Sequence, residues 1–241
     1  MKPKKFIIII ATILFLSGCS EFFMICSLNP FYIEKNIVLS PEIEGNWTVN
    51  SLRAKSDTAI KEQHIWQLAD TTSTWQIKQF IAEEIKKTKR GKDSTVYRPR
   101  NFYIVKLINN HSDSAQYQFN LVLFRVKDNL YGDFSPSETK AIKNSTMASE
   151  NYFNVHTLAR INIKNKQFNV SWLGTDYMKD MIEKKRVRIK YRYIQDAKRL
   201  LLTASSDELS QMIERYANET RFIDWQDQPA MLNFTRKNFR P

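Results

Sequence analysis

The stretch Tyr117-Gln118-Phe119-Asn120-Leu121-Val122-Leu123-Phe124-Arg125-Val126 decides the fold class. Tyr117, Phe119, Leu121 and Leu123 fall on one face of an extended chain, and Val122, Phe124 and Val126 on the other. Lys127-Asp128-Asn129 then turns the chain back into Leu130-Tyr131. Just upstream, Asn101–Ile108 is an apolar strand that ends in the loop Asn109-Asn110-His111-Ser112-Asp113.

Working outward, the two-residue period recurs. Trp47 and Val49 share a face, and Trp75 and Ile77 alternate with Gln76, Lys78 and Phe80. Ile65–Leu68, Val155–Ile163, Gln167–Leu173, Val187–Ile194 and Met231–Phe234 read as further strands. Phe80–Lys89 stays open between helix and strand, because Ile81 and Ile85 suit either. Some eight to ten strands joined by short turns predict a mainly β chain, an antiparallel barrel or sandwich. Thr175–Lys184 has helical spacing. Ser205-Ser206-Asp207-Glu208 is a capping box that starts a second helix near the C-terminus, with Leu209, Met212, Ile213 and Tyr216 as its apolar stripe.

The N-terminus carries the sharpest functional signal. Met1-Lys2-Pro3-Lys4-Lys5 is a positive start, and Phe6–Leu16 is an apolar run too short to span a bilayer. Leu16-Ser17-Gly18-Cys19 follows and resembles the bacterial lipobox. The resemblance implies cleavage after Gly18 and lipid attachment to the Cys19 thiol, with several acyl chains giving stable anchoring. Cys26 is a poorer candidate, because bulky Phe23-Met24-Ile25 precedes it. With Cys19 lipidated, Cys26 has no partner for an intrachain disulfide. The chain therefore divides into a signal peptide over 1–18, a lipidated tether over 19–42 in which Pro30 and Pro41 discourage helix, and a single β-rich domain over 43–241. Ser20 after the lipidated Cys favours the outer membrane of a Gram-negative cell, facing the periplasm rather than the cell surface.

Cys26-Ser27-Leu28-Asn29-Pro30-Phe31-Tyr32 and Pro41-Glu42-Ile43-Glu44-Gly45-Asn46-Trp47 resemble a family of Bacteroidetes envelope lipoproteins of unknown function. Tyr131-Gly132-Asp133-Phe134-Ser135-Pro136, His156-Thr157-Leu158-Ala159-Arg160 and Leu202–Leu209 match it too. Gly45-Asn46-Trp47 also resembles the lipocalin signature, whose Trp closes the bottom of a barrel.

The composition excludes much chemistry. The five glycines are isolated, which removes the Gly-rich phosphate loops. Three His and two Cys give no metal-ligand spacing, and no nucleophile elbow occurs. No catalytic residue, metal site or cofactor is expected, and the chain reads as a non-enzyme. Net charge is +12 over 241 residues, or +9 without the leader's three lysines, spread along the chain. Arg188, Lys190 and Arg192 alternate onto one face, a candidate contact for an anionic partner or simply a solvated face. Nucleic acid is not expected as a partner outside the cytoplasm. Asp followed by Ser or Thr and a small residue occurs at Thr58, Thr71, Ser94 and Ser114, all in expected turns. This matches the O-glycosylation motif of Bacteroidetes envelope proteins, although turn chemistry alone favours the same residues. The expected function is non-catalytic binding of an apolar ligand or a partner protein. The alternative is a structural component of an outer-membrane assembly.

Overall fold

The computed structural model describes residues 24–54, 73–87, 93–109, 115–137, 154–164, 167–194, 199–217 and 230–237. Eight strands close an antiparallel barrel: β2 (Gly45–Ala54), β3 (Ser73–Lys87), β4 (Asp93–Asn109), β5 (Ala115–Val126), β6 (Asn129–Pro136), β7 (His156–Lys164), β8 (Gln167–Trp172) and β11 (Ala230–Arg236). Neighbours in sequence are neighbours in space, and β11 closes the ring by pairing with both β8 and β2. The β6–β7 pairing, Gly132 opposite Ala159 among its rungs, completes it. Of the two architectures open to the sequence, the chain adopts the barrel.

Alternation explains the barrel core. Trp47, Trp75, Ile77, Val105, Leu121, Leu123, Ile161, Phe168, Val170 and Phe234 all point inward and are buried. The interior is a continuous aromatic stack. Trp47 meets Phe168 edge-on at 4.6 Å between ring centroids, and Phe168 lies flat on Phe234 at 4.2 Å. Phe234 meets Trp75 at 4.8 Å, and Trp75 reaches Phe134 and Trp172 at 6.4 Å. Gly132 makes room for this filling, since a Cβ there would lie 2.8 Å from Leu121 Cδ1 and 3.2 Å from Ile161.

Gly45 starts the first barrel strand with φ +135°, a conformation closed to other residues. Trp47 Nε1 donates to the Ile43 carbonyl at 2.7 Å, and the Arg236 guanidinium lies 5.7 Å from the indole centroid. Arg236 also donates to the Glu44 carbonyl at 2.8 Å. First and last barrel strands are thus tied together around one tryptophan.

A second layer lies on the outer face of β5, β6 and β7. It contains β1 (Cys26–Ser27), α1 (Thr175–Glu183), the hairpin of β9 (Tyr191–Ile194) and β10 (Arg199–Leu202), and α2 (Ser206–Tyr216). Phe124, Val126, Tyr131 and Leu158 supply the outward-facing barrel residues of this second core. Leu209, Met212, Ile213 and Tyr216 of α2 are buried in it. The Ser205 cap is formed as the capping box requires, accepting from the Glu208 amide at 3.3 Å.

Two expectations change. The tether over 19–42 is part of the domain from Met24 onward. Ile25, Phe31 and Ile43 are fully buried, β1 inserts between β7 and β10, and 3-10 turns at Glu34–Asn36 and Pro41–Ile43 carry the chain into β2. The strand expected over Val187–Ile194 is shorter: only Tyr191–Ile194 pairs, because Val187 turns back to bond the Met181 carbonyl at the end of α1.

Candidate interaction surface

Strands β3 and β4 outrun their neighbours. β2 pairs with β3 only where residues 45–48 face Thr74–Ile77, and β5 pairs with β4 only over Tyr103–Ile108. Beyond those points seven rungs, from Ile81 opposite Pro99 to Lys87 opposite Asp93, form a two-stranded ribbon. At about 3.3 Å per residue it projects roughly 20 Å. Among the described residues no third strand accompanies it. A bulge between Gln79 and Ile81 marks its base, beside Pro99, which has no amide hydrogen to donate to a ladder.

The ribbon's two faces differ. On one, Glu84 sits between Arg98 at 3.1 Å and Arg100 at 2.9 Å. On the other, Ile81 is 54% exposed and Tyr97 64% exposed, with Pro99 beside them. The bulge places Phe80 against Phe102, stacked at 4.9 Å. These two rings, with Ile81, Ile104, Lys78 and Lys106, line a groove of about 820 Å³ on the outside of the barrel. The groove mixes these apolar and cationic side chains with the amides of Gln76, Gln79, Gln118 and Asn120.

A second polar cluster is buried between the layers. Asp133 Oδ1 lies 2.6 Å from His156 Nδ1, and its Oδ2 accepts the Phe31 amide at 2.8 Å. Burial holds the Asp133 carboxyl above the usual carboxylate range, against the opposing pull of His156 and the Phe31 amide. Burial likewise pushes the neighbouring Tyr131 phenol up to about 12. Asn29 Nδ2 donates to the Ala204 carbonyl at 2.9 Å, and Ser27 Oγ donates to the Leu202 carbonyl. The segments around Asn29, Asp133, His156 and Ala204, far apart in sequence, therefore meet at one junction. Its hydrogen bonds run to backbone amides and carbonyls, which suits it to fixing the N-terminal segment on the barrel. Among the described residues no three His, Cys, Asp or Glu side chains converge as metal ligands.

The residues singled out from sequence scatter. Cys19, Thr58, Thr71 and Ser114 lie outside the described residues. Ser94 does not sit in a turn; it is in β4, opposite Lys86 near the end of the ribbon. The turn reading assumed that the chain reverses at Arg90–Asp93, whereas the ladder resumes at Asp93. Arg188, Lys190 and Arg192 are exposed, but only Arg192 lies in a strand, and Lys190 reaches Glu208 at 3.5 Å.

Comparison with protein-family models, curated proteins and solved structures finds no match to this chain. The ribbon and its groove escaped the sequence reading. The signal available for them was the β-prone alternation of Thr95 and Tyr97 opposite an ambiguous Phe80–Lys89.

Proposed function

We propose that this is a lipid-anchored envelope protein that holds a partner protein through the β3–β4 ribbon and the groove at its base. The ribbon carries the reading. A two-stranded ribbon is marginal in water without something packed on it, and this one exposes Ile81 and Tyr97 beside edges that no further strand pairs among the described residues. Such edges are templates for strand addition.

The barrel is lipocalin-like in strand number and in its Gly45-Asn46-Trp47 entry. Its aromatic filling favours a scaffold over a container for an apolar ligand, and also suits the alternative role in an outer-membrane assembly. Leu16-Ser17-Gly18-Cys19 supports anchoring at Cys19, in the outer membrane of a Gram-negative bacterium and facing the periplasm. The matching segments around Asn29 and Asp133 support membership of the Bacteroidetes lipoprotein family.

Two experiments test the reading. Cys19→Ala moves the protein from the detergent phase to the aqueous phase in Triton X-114 partition; retention by Cys19→Ala together with loss by Cys26→Ala places the anchor at Cys26 instead. Envelope pull-downs with wild type recover a defined partner that Ile81→Asp/Tyr97→Asp loses. Equal recovery by both proteins rejects the ribbon as the binding surface.

A further inference from the structure

We infer that the β9–β10 hairpin is a membrane-contacting surface that seats the protein on a leaflet of anionic phospholipid. The inference rests on the reading of Cys19 as the lipid anchor. It begins from where the chain enters the fold. Met24 bridges to Gly174, and the next residues form β1, which runs parallel to β10 with Cys26 opposite Leu201. Followed back two residues to Met24, this register brings the chain entry level with Arg199, whose partner across the hairpin is Ile194. With neighbouring strands about 4.8 Å apart, the entry point and β9 are separated by roughly 10 Å. Cys19 precedes Met24 by five residues, a span of at most about 18 Å. An acyl chain at Cys19 therefore keeps this hairpin close to the headgroups.

The hairpin has the chemistry such a position requires. β9 is the last strand of the sheet, and all four of its residues are exposed. Tyr191 and Tyr193 share a face with Leu202 and Leu200 but extend past the core those leucines enter. Tyrosine, apolar with a polar tip, favours the headgroup boundary. Ile194 adds an exposed aliphatic group at the hairpin end. Cations surround them: Arg192 on the strand, Arg188 and Lys190 on the approach, and Lys179 of α1 with Nζ 5.8 Å from the Tyr193 ring. Among the described residues Glu208 meets Lys190 at the surface, 3.5 Å away. A basic rim around half-exposed aromatics complements anionic headgroups.

The chain 20–241, which contains every described residue of both cores, is the probe, in co-sedimentation with large vesicles. It binds vesicles of phosphatidylcholine with 30% phosphatidylglycerol and not phosphatidylcholine alone. Arg188→Glu/Lys190→Glu/Arg192→Glu weakens binding on the order of 100-fold, as roughly a fivefold loss per headgroup-facing charge requires. Tyr191→Ser/Tyr193→Ser weakens it several-fold at unchanged charge. Arg98→Glu/Arg100→Glu, an equal kind of change on the ribbon, leaves it within about twofold. Absence of binding to the anionic vesicles overturns the proposal, as does an equal loss from the ribbon variant, which would show general charge attraction. Because this chain carries no lipid, either result is independent of the Triton X-114 partition that tests the anchor.

Discussion

Asp133 and His156 form a buried pair, Oδ1 to Nδ1 at 2.6 Å, and the carboxylate's other oxygen holds the Phe31 amide. One side chain thus joins β6, β7 and the N-terminal segment.

Asp133→Ala leaves His156 and the Phe31 amide without their partner at a buried site, and is expected to cost about 3–5 kcal/mol. Urea unfolding near neutral pH measures it; a midpoint unchanged from wild type would contradict the junction's role.

The same pair gives a pH dependence. Burial raises the Asp133 carboxyl above its unfolded value of 3.8. The native state therefore binds that proton more tightly than the unfolded chain. The carboxyl's contribution to stability is complete below the unfolded value and is lost as pH rises through the native one. Asp133→Asn removes the titration. The stability advantage of wild type over Asp133→Asn should shrink as pH rises above about 4; an advantage that stays level there and falls only at lower pH shows a depressed pKa instead.

Trp47→Ala removes a side chain only 1% exposed, its bond to the Ile43 carbonyl, and the ring that Phe168 and Arg236 pack upon. The expected cost is about 3–5 kcal/mol. Much of this was legible in Gly45-Asn46-Trp47, because a glycine that must take φ +135° and a large inward aromatic are local properties. The alternation of β5 was legible for the same reason: each of its faces meets a buried layer. The burial of Ile25 and Phe31 was not. They are separated by polar residues and a proline, with no period, and the second core of the outer layer is what covers them. Nor did the ribbon show itself. Glu83-Glu84 and Lys86-Lys87 carry no alternation when both faces meet solvent, so Ile81 and Ile85 read equally well as a helix.

Gly132→Ala tests how tightly the barrel is filled. Its Cβ would press on Leu121 and Ile161 from inside the wall. A loss of about 1–3 kcal/mol in urea melts is expected. A gain in stability would show slack that a small apolar ligand could occupy.

Glycosylation at Thr58, Thr71, Ser94 and Ser114 is expected in the native host. The intact mass of the protein purified from its own envelope should exceed that of the lipidated polypeptide. Ser94 lies in β4 opposite Lys86, near the ribbon end. A mass equal to that of the lipidated polypeptide alone would exclude modification at all four.

Site-specific photo-crosslinking in the native envelope tests the partner reading most directly. A photoreactive residue in place of Tyr97, on the exposed apolar face of the ribbon, should give one discrete crosslinked species. The same residue in place of Glu214, exposed on α2, should not. Crosslinks of equal intensity and pattern at both positions, or none at Tyr97, would contradict the claim that the ribbon holds a partner protein.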